Sequence, residues 1–203
     1  MIGTQIITLA PARSMKSAYN GIWKRLLGEA GSALRFGNIA SSLTRIGPLD
    51  WLWIRRGFEI HKFVLIRGES ESIGVGVIER DLSNRVCAIV LGLLPEYRGC
   101  RLGPVSARIL LRKCFTEFDA ARVESSALTS NPASIHMQDG MVHEGTLRDR
   151  FLIDGQRVDE MLFRLLRSEW ESGVLDRESI KPASRSQAGR SHAAISPGES
   201  SST

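Results

Sequence analysis

The stretch from Cys87 to Phe118 constrains this chain more than any other. Cys87 to Leu94 is an almost unbroken apolar run, as in a strand buried on both faces. It enters a turn rich in arginine and glycine, Pro95-Glu96-Tyr97-Arg98-Gly99-Cys100-Arg101-Leu102-Gly103-Pro104. A helical pattern from Val105 to Phe118 follows at once. Pro104 suits the first turn of a helix, where its missing N–H would have no helical partner. Strand, basic glycine turn and helix in that order gather backbone N–H groups and the positive end of a helix dipole at one spot. Such a spot binds phosphate. The turn is neither Gly-x-x-x-x-Gly-Lys-Ser/Thr nor Gly-x-Gly-x-x-Gly with a downstream acid, which excludes the nucleotide-hydrolase and dinucleotide loops. On these residues alone a plain strand-to-helix turn with surface arginines remains an equal reading.

Patterns on either side predict the other elements. Residues 5–10 read as an edge strand, and Ser14 to Leu27 as a helix with Ile22, Trp23, Leu26 and Leu27 on one face. Gly28 to Arg56 is irregular, and Trp51 and Trp53 within it read as core or pocket aromatics. His61 to Ile66 and Ser72 to Glu79 read as strands joined by a polar turn, and Asp81 to Arg85 as the next turn. A strand from Ala121 to Thr129 ends at Asn131. Thr146 to Ile153 and Gln156 to Arg167 read as a hairpin around Asp154-Gly155, a strong turn signal. Residues 1–175 form one expected domain. The serine-rich residues 176–203 have almost no apolar pattern and are expected to be disordered.

Composition bounds the class. The chain has 203 residues, 42% hydrophobic and 24% charged, which is ordinary for a globular domain with a core of its own. No apolar run approaches the ~18 residues of a membrane span. The first ten residues lack the basic leader of a signal peptide, so the cytoplasm is the expected location. Cys87, Cys100 and Cys114 are widely spaced and suggest neither a disulfide framework nor a zinc site. His61, His136, His143 and His192 show no metal-binding spacing, and no metal is expected. A net charge of +5 suits a phosphate-bearing ligand or an acidic surface, but no nucleic-acid motif accompanies it.

Several motifs together carry a resemblance. Arg98 and Gly103 fit two of the three fixed places of Arg/Gln-x-x-Gly-x-Gly/Ala, the pyrophosphate loop of the GNAT acetyltransferase superfamily. Arg101 stands where the middle glycine would be, and arginine enters positive φ reluctantly. Downstream come Asn131-Pro132-Ala133-Ser134, Gly140-Met141-Val142-His143-Glu144-Gly145-Thr146-Leu147-Arg148, Asp154-Gly155 followed by Asp159, and Glu169-Trp170. In this order, over about residues 60–170, they resemble the RimJ/RimL-type branch of the GNAT acetyltransferases. The segment from Asn131 to Gly140 is about two residues shorter than that branch usually has, so a clipped helix is expected there.

The resemblance implies an α/β (α+β) fold with a mixed, mostly antiparallel central sheet flanked by helices. It implies acetyl-CoA as co-substrate and a primary amine as acceptor, either a peptide N-terminus or a small molecule, with direct transfer in a ternary complex. Backbone from Gly99 through Cys100, Arg101 and Leu102 to Gly103 would hold the pyrophosphate, with charge added by Arg98 and Arg101. Backbone of Leu91 to Leu93 would pair with the pantetheine arm like an added strand. Asn131 would hydrogen-bond the cofactor, Ser134 would protonate the leaving thiolate, and Glu79 would act as base through water. Asn131 and Ser134 also suit a helix cap, and Glu79 a solvated strand end. Asp50 and Glu59 are the acids nearest an acceptor pocket, while Glu144, Arg148, Asp154 and Asp159 read as turn and ion-pair residues. Trp170 reads as packing on the last strand. A homodimer is an allowed assembly, and neither a membrane nor a nucleic-acid partner is expected. Two other readings stay open: a cofactor-binding sensor or scaffold without turnover, and, on charge alone, an RNA- or ribosome-binding protein.

Overall fold

The computed structural model describes residues 6–28 and 57–173. Asp50, Trp51, Trp53 and the serine-rich tail lie outside the described residues. In chain order the elements are β1 (Ile7–Pro11), α1 (Lys16–Gly28), β2 (Phe58–Arg67), β3 (Glu71–Asp81) and β4 (Val86–Leu93). A short 3-10 turn (Pro95–Tyr97) then leads to α2 (Leu102–Thr116), β5 (Arg122–Leu128), α3 (Pro132–Met137), β6 (Val142–Ile153), β7 (Gln156–Leu166) and α4 (Arg167–Glu171).

The strands form one sheet in the order β1-β2-β3-β4-β5-β7-β6. Every neighbouring pair is antiparallel except β4 and β5. Local chemistry sets the turns. The Asp81 carboxylate accepts the backbone N–H groups of Ser83 and Asn84 at 3.0 and 3.1 Å, which closes the β3–β4 hairpin. Asp154 and Gly155 both have positive φ, +50° and +77°, as a two-residue hairpin turn requires.

Strand alternation divides the core between the two faces of the sheet. On one face α1 buries Tyr19, Ile22, Trp23 and Leu26 against Val64, Val75, Val77 and Leu94. On the other, α2 buries Leu110, Leu111, Cys114 and Phe115 against Phe63, Ile78, Cys87, Ile89, Val123 and Leu165. A Cβ at Gly76 would stand 3.0 Å from the Leu110 side chain, so α2 lies close on β3 there. Trp170 is on α4 and stacks on Phe115 of α2, with ring centroids 5.2 Å apart, so it ties the end of the described chain to a helix as well as to β7. The helix after Asn131 is short, six residues, as the shortened segment predicts. Among the described residues no helix is long and apolar enough to cross a membrane.

Candidate active site

The single parallel pair in the sheet makes the site. β4 and β5 pair only at Val86↔Arg122, Cys87↔Val123 and Ala88↔Glu124, and beyond Ala88 they diverge. The gap is a cleft of about 650 Å³. Ile89 to Leu93 form one wall and Ser125 to Leu128 the other, with the loop before α2 and the helix α3 at the wide end.

That divergence leaves β4 with unpaired backbone. The Leu94 N–H donates to the Ile73 carbonyl at 3.0 Å, so the main chain of Leu94, Gly92 and Val90 turns toward β3. Alternation then turns the N–H and C=O groups of Ile89, Leu91 and Leu93 toward the cleft. The Leu93 carbonyl is taken by the Arg98 Nε donor at 3.0 Å, which stitches the loop to the end of β4. Among the described residues nothing pairs with Leu91 on that edge, which leaves both groups for a ligand laid along the strand.

The loop gathers further donors. Gly99 has φ +75°, and Arg101 adopts φ +60°, ψ 14°, the left-handed conformation. Arginine therefore takes the backbone shape a glycine would take more readily. Arg101 is the N-cap of α2, and its side chain caps nothing. Among the described residues no backbone carbonyl accepts the N–H of Gly99, Cys100 or Arg101. Two left-handed residues flanking one residue at a helix N-terminus give a concave set of N–H groups suited to an anion. At Gly103 an added Cβ would lie 2.9 Å from Met137 Sδ, so α2 and α3 meet where a side chain is lacking.

The residues singled out from the sequence fall in three places. Leu91, Leu93, Arg98, Gly99, Arg101, Gly103, Asn131 and Ser134 line the cleft. Cys100 is exposed, with Sγ 3.6 Å from the Arg98 carbonyl, and Leu102 is buried with Ile7, Leu65 and Ile73, so only their backbone belongs to the loop. Glu79 pairs in register with Ala88, one strand outside the cleft, on the α1 face. Burial pushes its carboxyl above the usual carboxylate range, partly opposed by the Lys62 ammonium. Glu59 has the opposite parity and so lies on the α2 face, bound to Arg80 and to His61 at 3.1 Å. It is not an acid of this cleft.

Asn131 caps α3. Its Oδ1 accepts the Ser134 N–H at 3.2 Å, which leaves its NH₂ group for a ligand. The Ser134 hydroxyl lines the cleft with no hydrogen-bond partner among the described residues. Gln138, at the far end of α3, was not legible as a site residue. It is 7% exposed and lines the cleft, and its carboxamide has no hydrogen-bond partner among the described residues.

The acids of the cleft come from β5, β6 and β7: Glu124, Glu144 and Glu160. Glu124 accepts from Arg122 Nε at 2.7 Å. Glu144 binds the guanidinium of Arg122 and, at 3.2 Å, that of Arg164. The bond from Arg122 holds the Glu144 carboxyl below the usual range. The ion pair between Arg148 and Asp159, at 2.6 Å, is structural and pins β6 to β7. Among the described residues no cluster of His, Cys, Asp and Glu is arranged to hold a metal ion.

Known proteins share this architecture. The spermidine N-acetyltransferase SpeG K23-Q34 chimera from Vibrio cholerae and hSSAT superimposes with a TM-score of 0.64 at 19% identity, over 81% of this chain and 98% of that one. The Vibrio cholerae spermidine N-acetyltransferase in complex with CoA and spermine gives 0.58 at 18% identity, over 81% and 98%. A probable GNAT-family acetyltransferase from Chromobacterium violaceum gives 0.59 at 20% identity, over 81% and 85%. In sequence, the chain is 28% identical over 124 residues to the SPbeta prophage-derived uncharacterized N-acetyltransferase YokL of Bacillus subtilis strain 168, covering 59% of this chain and 70% of that protein. No family model matches the chain. Its relative in sequence and its neighbours in structure are N-acetyltransferases, and the chain has the GNAT acetyltransferase fold.

Proposed function

We propose that the protein is an acetyl-CoA-dependent N-acetyltransferase of the RimJ/RimL-type branch, acting on a primary amine. The observation that carries this reading is the divergence of β4 and β5 beyond Ala88↔Glu124, with unpaired loop N–H groups at its wide end. The cleft runs along β4 past Leu91 and ends at an anion cradle, an arrangement that suits a thioester cofactor with a pyrophosphate. The amine-acetylating neighbours support the same acceptor chemistry, and their small substrates favour a small-molecule amine.

Acetyl-CoA supplies the activated acetyl group when bound. The N–H groups from Gly99 to Gly103 and the N-terminus of α2 hold the pyrophosphate, and Arg98 and Arg101 add positive charge. The main chain of Leu91 and Leu93 lines up the pantetheine arm, and an N–H of that strand polarises the thioester carbonyl. The free NH₂ group of Asn131 orients the arm. Ser134 donates a proton to the departing sulfur, and Glu79, whose carboxyl burial raises above its ordinary value, draws a proton from the acceptor through water.

The test is CoA release with acetyl-CoA and an amine panel of spermidine, an amino sugar and tripeptides with free N-termini. Amine-dependent release, with the acetylated amine found by mass spectrometry, is expected. Tight acetyl-CoA binding without release across the panel would replace this reading with a non-catalytic acyl-CoA sensor. Absence of both binding and release would leave a fold and no assigned activity.

A further inference from the structure

Among the carboxylates of the cleft, one differs from the rest. Glu124 and Glu144 are engaged by Arg122 and Arg164 at hydrogen-bond distance. Glu160 is engaged by a neutral donor instead: Ser126 Oγ donates to its Oε1 at 2.7 Å. Among the described residues its other oxygen meets one cation, in a longer ion pair with Arg150 Nε at 3.6 Å, on an arginine whose side chain is 43% exposed. Glu160 is also the most buried of the three, its side chain 13% exposed against 46% for Glu124 and 38% for Glu144. A largely buried carboxylate that lines a cleft, and whose charge is met only by a longer pair to a half-exposed guanidinium, retains capacity for a second cationic partner.

Register places this group on the acceptor's side. Glu160 pairs with Leu128 and Ser126 with Leu162 across β5 and β7. Both side chains share the sheet face of Glu124, which pairs with Ala88 on the α1 face. The phosphate loop and α2 lie on the opposite face. A cofactor entering from the α2 side and an acceptor entering from the α1 side would meet in the gap between the strands.

We propose that Glu160, oriented by Ser126, binds the ammonium of the acceptor, and that the acceptor is a monoamine. The assignment rests on the acetyltransferase reading above. Glu124 and Glu144 are already neutralised, and Arg122, Arg150 and Arg164 stand around the same face, so a second cationic centre would meet guanidinium groups. One ammonium fits this charge pattern better than a chain of several.

The test uses the full-length protein with a tripeptide bearing a free N-terminus, ethanolamine and spermidine as amine probes. Glu160→Gln keeps the size of the side chain and an acceptor for Ser126, but removes the charge. It is expected to raise the KM for the monoamines about 10- to 100-fold, the range for losing a hydrogen bond to a charged group. The dissociation constant for acetyl-CoA and the melting temperature should stay close to wild type. Ser126→Ala should raise the same KM by a smaller factor. An unchanged monoamine KM in an active Glu160→Gln protein overturns the assignment of Glu160 while leaving the acetyltransferase reading intact. A wild-type kcat/KM for spermidine above that of both monoamines overturns the monoamine class. A wild-type protein that turns over none of the probes rejects the acetyltransferase reading and this assignment with it.

Discussion

Arg101 holds a left-handed conformation at φ +60° that glycine adopts at no steric penalty. Arg101→Ala keeps the backbone strain and loses the charge, whereas Arg101→Gly loses both. The glycine variant should therefore be more stable than the alanine variant by about 1 kcal/mol in urea unfolding. If both weaken acetyl-CoA binding equally, the charge is what matters. If only alanine does, the shape of the loop is what matters. Two carboxyl groups should show opposite pH dependence. Burial raises the Glu79 pKa, so its destabilising effect is full above the folded pKa and disappears below the unfolded one, about 4.3. Wild type should gain on Glu79→Gln as pH falls from 7 to 4. The Asp159 pKa is lowered by the Asp149 N–H and then by Arg148, so its stabilising effect is present above the unfolded value and lost as pH falls through the folded one. Wild type should lose its advantage over Asp159→Asn as the pH is lowered below about 4. Denaturant titrations at stepped pH check both signs.

At the scale of elements, two glycines lie in close contacts of different hardness. A Cβ at Gly74 would sit 2.3 Å from the Gly92 carbonyl oxygen, a backbone atom in the neighbouring strand. A Cβ at Gly103 would crowd the flexible Met137 side chain, at 2.9 Å from its Sδ, and would meet Leu93 Cδ1 at an ordinary 3.9 Å. Gly74→Ala should thus destabilise by about 1–3 kcal/mol or more, because β3 and β4 must separate. Gly103→Ala should be milder and act mainly on ligand binding, by shifting α3. Thermal melts and acetyl-CoA titrations separate the two. These elements were largely legible in the sequence. The apolar run of β4, the periodicity of α1 and the Asp154-Gly155 turn are local signals. α2 begins at Leu102 rather than Val105 because Arg101 turns left-handed and starts the helix early. The acceptor side of the cleft was not legible. β5, Arg122-Val123-Glu124-Ser125-Ser126-Ala127-Leu128, has little hydrophobic alternation, and the meeting of Ser126 with Glu160 depends on the β5–β7 register across 34 residues of chain. Glu59 was misjudged for a related reason: its distance from the cleft follows from which face of β2 it occupies.

For the whole molecule, the sheet among the described residues acts as a partition, with α1 packed on one face and α2 on the other, and it opens where β4 and β5 part. Anything that bridges the cleft joins β4, the loop, α3 and β5, and so should stabilise the folded state as a unit. Acetyl-CoA or CoA at 100 times its dissociation constant should add about 2.7 kcal/mol, or roughly 5–10 °C in melting temperature for a domain of this size. ATP offers phosphates to the loop but no arm to pair with Leu91, so its shift at equal concentration should be smaller. Raising the salt should shrink the shifts of all three, because each meets the loop as a polyanion. A shift from ATP as large as that from CoA would show that the anion cradle alone holds the ligand and that the open edge of β4 has no part in binding. A shift from CoA that survives high salt while that from ATP vanishes would locate the binding energy in the strand and the cleft walls.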